Sequence, residues 1–138
     1  MSNNAKTELK GRSARMAAPT NGMERLLDPR VPIVTKTDLK GRITYANPAF
    51  VEISGFTHDE LIGQPHNVVR HPDMPRDAFK DLWDTGKRNE PWKGLVKNRC
   101  KDGGYYWVDA YVTPLTQNGE KIGYMSVRSK PGDTQKAE

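Results

Sequence analysis

With 138 residues, 15.6 kDa and a formal net charge of +5, the chain has room for one domain with short tails. Hydrophobic residues make up 35% and the mean hydropathy is −0.82, which supports one modest core. It also excludes a membrane-spanning helix, since that needs about 18 consecutive apolar residues. The charge does not mark a nucleic-acid binder: Lys6, Lys10, Arg12 and Arg15 against Glu8 give residues 1–16 a charge of +3, leaving +2 for all that follows. Charge blocks of this kind are ordinarily solvated.

The first sixteen residues, MSNNAKTELKGRSARM, lack the apolar stretch of a secretory signal. The single Cys100 cannot form an internal disulfide and fits a reducing, cytoplasmic setting. Residues 1–22 read as a flexible basic segment, and 23–30 as a cap in which Met23–Leu27 forms a short helical turn closed by Pro29 and Pro32. The globular domain runs over 31–130, and 131–138 read as a tail or the start of a linker.

Inside the domain, Ile33–Thr37 and Arg42–Ala46 read as strands joined by the turn Asp38-Leu39-Lys40-Gly41. Asn47-Pro48 opens a helix, with Asn as N-cap and Pro at the first helical position. Thr57 and Glu60 form a capping box that starts a second short helix through Leu61 and Ile62; His58, in that turn, is solvated. After a proline-rich segment, Ala78, Phe79, Leu82 and Trp83 recur at helical spacing within 76–88. Trp92–Arg99, Tyr105–Leu115 and Lys121–Ser129 follow as strands, the last two joined across Asn118-Gly119, a strong hairpin signal. Strands that can all be joined by hairpins around a helical middle predict an α+β fold with one five-stranded antiparallel sheet and short helices on one face.

The segment GQPHNVVRHPDMP, 63–75, carries three of the ten prolines and two of the three histidines. Pro65, Pro72 and Pro75 fix φ and remove donors, so it cannot continue as a regular helix or central strand. Its mixture of Val68, Val69 and Met74 with Arg70, His71 and Asp73 is that of a ligand-bearing loop. Strand alternation puts Trp92, Gly94, Val96 and Asn98 on one face and Lys93, Leu95, Lys97 and Arg99 on the wet one. An inward carboxamide at Asn98 needs partners: either a nearby backbone group or the edge of a flat heterocycle. Tyr105, Trp107 and Tyr111 fall on the outer face, an aromatic patch that fits a partner, a second copy, or the chain's own residues 20–30.

The ITYANPAF entry at 43–50, Ser54-Gly55-Phe56-Thr57 and Asn98-Arg99-Cys100-Lys101-Asp102-Gly103 resemble PAS domains over about residues 31–130. GQPHNVVRHPDMP, Glu90-Pro91-Trp92-Lys93-Gly94, Val96-Lys97-Asn98-Arg99 and Gly123-Tyr124-Met125-Ser126 narrow the resemblance to the PAS domains of bacterial aerotaxis receptors. The resemblance implies FAD between sheet and helices and a report of redox or oxygen state to a chemotaxis-type signalling partner, with no enzymatic activity. It implies that Asn98 bonds the pyrimidine edge of the flavin and that Trp92 packs near the ring. It implies too that Arg70 and His71 contact the phosphates or adenine side, and that Asp73 positions Arg70. Trp83 would close the pocket, and Asn47 matches a position linked to the cofactor, although capping already accounts for it.

The chain departs from light-sensing flavin relatives, because 63–75 hold no cysteine and Cys100 falls in a hairpin turn. Adduct photochemistry is therefore not expected. The resemblance also leaves the chain as either a fragment of a receptor or a stand-alone sensor. Two other readings stay open: a haem-binding gas sensor ligated through His66 or His71, and a cofactor-free module that dimerises through its outer sheet. A metal site is not expected from two histidines five residues apart with only Asp73 to add.

Overall fold

The computed structural model describes residues 18–132. Five strands, β1 (Ile33–Asp38), β2 (Ile43–Ala46), β3 (Trp92–Arg99), β4 (Tyr105–Gln117) and β5 (Glu120–Ser129), form one antiparallel sheet in the order β2-β1-β5-β4-β3. Between β2 and β3 come α1 (Pro48–Ser54), α2 (His58–Leu61), a 3₁₀ turn (His66–Val69) and α3 (Arg76–Lys87). The expected fold class and element order are those observed. Among the described residues no helix is long and apolar enough to cross a membrane.

The local signals act as chemistry dictates. Asn47 Oδ1 accepts from the Phe50 amide at 3.1 Å, while its Nδ2 donates to the Pro32 carbonyl at 3.0 Å. Both arms of the Thr57–Glu60 capping box are made. Asn118 and Gly119 adopt φ of 53° and 83°, the two positive values a two-residue hairpin turn requires.

The inner sheet face and the helices enclose a core of Ile33, Ile43, Phe50, Phe56, Leu61, Val68, Val69, Tyr106 and Val108, all essentially water-free. Each such apolar side chain contributes on the order of 1.5–3 kcal/mol. Val68 and Val69 are what tie the proline-rich segment down. Isolated bridges then pair Pro65 with Arg42 and Arg70 with Asn98 of β3.

One expected element differs. Met23–Leu27 is not a helical turn but an extended strap: the Tyr105 amide donates to Met23 O at 2.9 Å, and the Arg25 amide donates to Tyr105 O at 2.7 Å. The reason is the stagger of the sheet. β5 ends opposite Asp109, which leaves one edge of β4 from Tyr105 onward in need of partners. The same pairing draws in residues expected to be flexible, since the Ala18 and Asn21 amides bond Lys101 O and Gly103 O. Arg25 also pairs with Asp102 at 2.5 Å, and Leu27 plugs into the core. The basic segment 1–17 and the tail from 133 lie outside the described residues.

Candidate functional site

Small side chains make room for a cavity. Pairing register sets Gly94, Ala110 and Arg128 side by side across β3, β4 and β5, and sets Val112 beside Ser126 in the next row. Over this shallow floor lies a cavity of about 310 Å³, walled by α3 through Phe79, Leu82 and Trp83, and by the loop through His66, Asn67 and Arg70. Lys40 and Gly41 of the β1–β2 turn complete the wall. Trp83 fits because Gly41 lacks a side chain: a Cβ there would sit 2.9 Å from the indole, and φ of +85° suits glycine besides. Tyr124 meets Trp83 edge-on with ring centroids 5.4 Å apart.

The polar lining is lopsided. Its charged members are Lys40, Arg70 and Arg128, with no carboxylate among the lining residues. Asn98 is buried, and its Nδ2 has no hydrogen-bond partner among the described residues. Leaving such a donor unpaired costs roughly 1–3 kcal/mol, so it calls for a partner from within the cavity. Beneath it the Tyr106 phenol is fully buried, and burial pushes its pKa well above the usual range. The Tyr106 hydroxyl lies near the Asn98 side chain, yet it too lacks a hydrogen bond of good geometry.

His66 joins the lining. Thr35 Oγ1 lies 3.1 Å from its Nε2, and its ring stacks on Phe50. Burial first, then the neighbouring Arg128 guanidinium, depress its pKa to about 3, so the imidazole is neutral. Arg128 Nη2 donates to the same Thr35 oxygen at 3.1 Å.

The Arg-His-Pro-Asp stretch splits in two. Arg70 faces the cavity, with its guanidinium 5.2 Å from the Phe79 ring centroid. His71 and Asp73 do not line it. The His71 ring is buried against Tyr105, edge-on at 6.1 Å, and its Nδ1 accepts from the Asp73 amide at 3.1 Å. Burial, then nearby Lys97, hold His71 neutral by lowering its pKa. Asp73 bonds Lys97 Nζ at 3.0 Å. The expectation that Asp73 positions Arg70 therefore gives way to a pairing with Lys97, whose Nζ lies 3.0 Å from the Asp73 carboxylate.

Asn98, Arg70 and Trp83 are thus the sequence-chosen residues brought together at the cavity. Trp92 lies outside its wall, folded over Gly94 with Nε1 donating to Asp81 at 2.8 Å. Asn47 is spent on capping α1 and on Pro32. Cys100 lies behind the sheet end: its thiol donates to Ile53 O at 3.3 Å, and burial pushes its pKa to about 11.

Sequence reasoning did not single out Arg128, Thr35 or Lys40 for this site. In β5 the polar residues Tyr124, Ser126 and Arg128 alternate with apolar Met125 and Val127, a pattern that on its own places the polar set outward. Only the pairing of Ile33 with Arg128 reveals the opposite.

A family model decides what this open sheet with short helices and an enclosed cavity is: the PAS fold matches residues 43–128. The chain belongs to the PAS family. The aerotaxis receptor of Escherichia coli (strain K12) is 54% identical to this PAS domain over 101 residues, 73% of the chain and 20% of the receptor. A nitrogen fixation regulatory protein of Klebsiella pneumoniae is 34% identical over 96 residues, 69% of the chain and 19% of that protein. The chain spans about a fifth of the length of these curated relatives. Among solved structures, a light-oxygen-voltage domain studied with a flavin analogue superposes with a TM-score of 0.67 at 21% identity, covering 77% of this chain and 81% of that one. That likeness carries the fold.

Proposed function

We propose that this PAS domain binds a flavin, as FAD, in the cavity over β3–β5 and reports redox state to a signalling partner rather than catalysing a reaction. The observation that carries the reading is the buried, unpartnered Asn98 Nδ2 at the wall of a cavity whose charged groups are all cationic. The pyrimidine edge of a flavin alternates donors and acceptors and suits a carboxamide, while phosphates suit Lys40 and Arg70 at the wall. Phe79, Leu82, Trp83 and Val112 supply the apolar surface a planar ring needs.

When bound, the flavin supplies reversible electron uptake; the residues around it bind, orient and relay. Asn98 orients the ring. The Arg70–Asn98 bridge ties the loop and β3 into one piece. His71, Asp73 and Lys97 lie on the other side of that piece, where Lys97 Nζ sits 4.5 Å from the Tyr105 ring centroid and 5.8 Å from that of Trp107. A partner, or a second copy, that docks on Tyr105, Trp107 and Tyr111 reads a change at Asn98 through this connection, provided it prefers one state by differential affinity. In this reading His71 and Asp73 support the loop, and Trp92 braces β3 against α3 through Asp81.

The test is the absorption spectrum of gently purified or flavin-reconstituted protein. A two-banded flavin spectrum that bleaches with dithionite is expected, with FAD as the flavin released on denaturation. Asn98→Ala and Arg70→Ala should each lower flavin occupancy at least tenfold while the fold persists. A colourless protein that cannot be reconstituted sinks the reading, and an intense Soret band replaces it with haem. The haem reading has less support: His66 Nε2 is engaged by Thr35, and His71 does not reach the cavity wall.

A further inference from the structure

We infer that Arg128 makes the cavity selective for the negatively charged form of the ring it holds. The inference rests on the proposal that the ring is a flavin, and names a preference within that site. Arg128 is 2% exposed, projects from β5 at the cavity wall and makes no ion pair among the described residues. Its neighbours are uncharged: the Thr35 hydroxyl takes one N–H, the Phe50 ring lies 4.7 Å from the guanidinium carbon, and Tyr106 and His66 complete the surroundings as neutral groups. Its Nε–H has no partner among the described residues.

A buried cation without a carboxylate is costly, and natural cores pair or replace such groups. Here the pairing is absent and the fold nonetheless fixes the side chain firmly. Thr35 holds one end of the guanidinium and Phe50 its face. The same Thr35 oxygen lies 3.1 Å from His66 Nε2, so this hydroxyl is held between the imidazole and the guanidinium. The arrangement is a cation held in place with its Nε–H unbonded among the described residues. The other two cationic lining residues, Lys40 and Arg70, belong to the turn and the loop, whereas Arg128 comes from the sheet floor, in the row of Gly94 and Ala110. Negative charge placed on a ring over that floor meets a charge-assisted hydrogen-bond donor in a low-dielectric setting, where such bonds are strongest.

The experiment compares two ligands of the full chain by fluorescence or absorbance titration: riboflavin, which is neutral, and a riboflavin analogue with a ring thiolate whose charge delocalises toward the pyrimidine. Wild type should bind the thiolate form more tightly. Arg128→Gln, which can still bond Thr35, should lose roughly 10- to 100-fold in affinity for the anion, the worth of one charge-assisted bond, and only a few-fold for riboflavin. Arg128→Lys should retain most of the preference. A second readout separates this role from a structural one: the ligand-free Arg128→Met protein should melt no lower than wild type, because it sheds an uncompensated buried charge. Equal losses for both ligands, or a wild type indifferent to ligand charge, overturn the inference and leave flavin binding standing. The second of these needs no variant to fold. A wild type that binds neither ligand and cannot be reconstituted with FAD brings down both readings.

Discussion

His66 illustrates how one residue couples the cavity to stability. Its folded pKa of about 3 lies below the 6.5 of the free side chain. Between those values the unfolded chain binds a proton that the folded one refuses, so the stabilisation is complete above pH 6.5 and is lost as pH falls toward 3. Burial lowers His71 too, which adds a contribution of the same sign. The low carboxylates, such as Asp73 beside Lys97 and Asp102 beside the Gly104 amide and Arg25, act only further down, below their ordinary range. The unfolding free energy from urea titrations should therefore drop from pH 6.5 to 5 by about 1–2 kcal/mol in wild type, using roughly 1.4 kcal/mol per unit as the ceiling and discounting for water in the cavity. His66→Gln, which keeps a bond to Thr35, should flatten that slope; an unchanged slope means that His66 does not carry the effect.

At the scale of elements, β3 depends on a glycine in its middle. A Cβ on Gly94 would lie 2.3 Å from the Trp92 ring, which folds over it to reach Asp81. Gly94→Ala must push the indole aside and break that bond, so thermal or urea unfolding should show a loss of about 1–3 kcal/mol, the usual cost of overpacking. Stability equal to wild type would mean that the indole swings away freely. The strap 18–27 is the counterpart at the other end of the sheet. It exists because β4 is longer than β5 can cover, and a helical turn at Met23–Leu27 would have left the Tyr105 amide and carbonyl unpaired.

The whole molecule has two unlike faces. The inner one holds the cavity. The outer one carries half-buried Tyr105 and Trp107, exposed Tyr111, and the lysines Lys93 and Lys97 over them. If the outer face is the output surface, a chimera with this domain in place of the PAS region of the E. coli aerotaxis receptor should respond to oxygen in a soft-agar assay. Its Trp107→Glu variant should not respond, while keeping the flavin spectrum and unfolding midpoint of wild type. A responsive Trp107→Glu chimera would move the output elsewhere.

The sequence by itself determined what local chemistry controls. The caps at Asn47 and Thr57, the Asn118-Gly119 hairpin, the helical spacing of Phe79, Leu82 and Trp83, and the inward face of β3 with Asn98 all follow from contacts within a few residues. Tertiary structure decided what depends on register between distant strands. It turned the polar face of β5 inward by pairing Arg128 with Ile33, and brought Thr35 and His66 to that guanidinium. It also sent Arg70 and Asp73 to opposite sides of β3 and pulled Met23–Leu27 straight along β4. Alternation along a strand has two equivalent phases, and only the burial of Ile33 against the helices selects the one that puts a cation in the cavity.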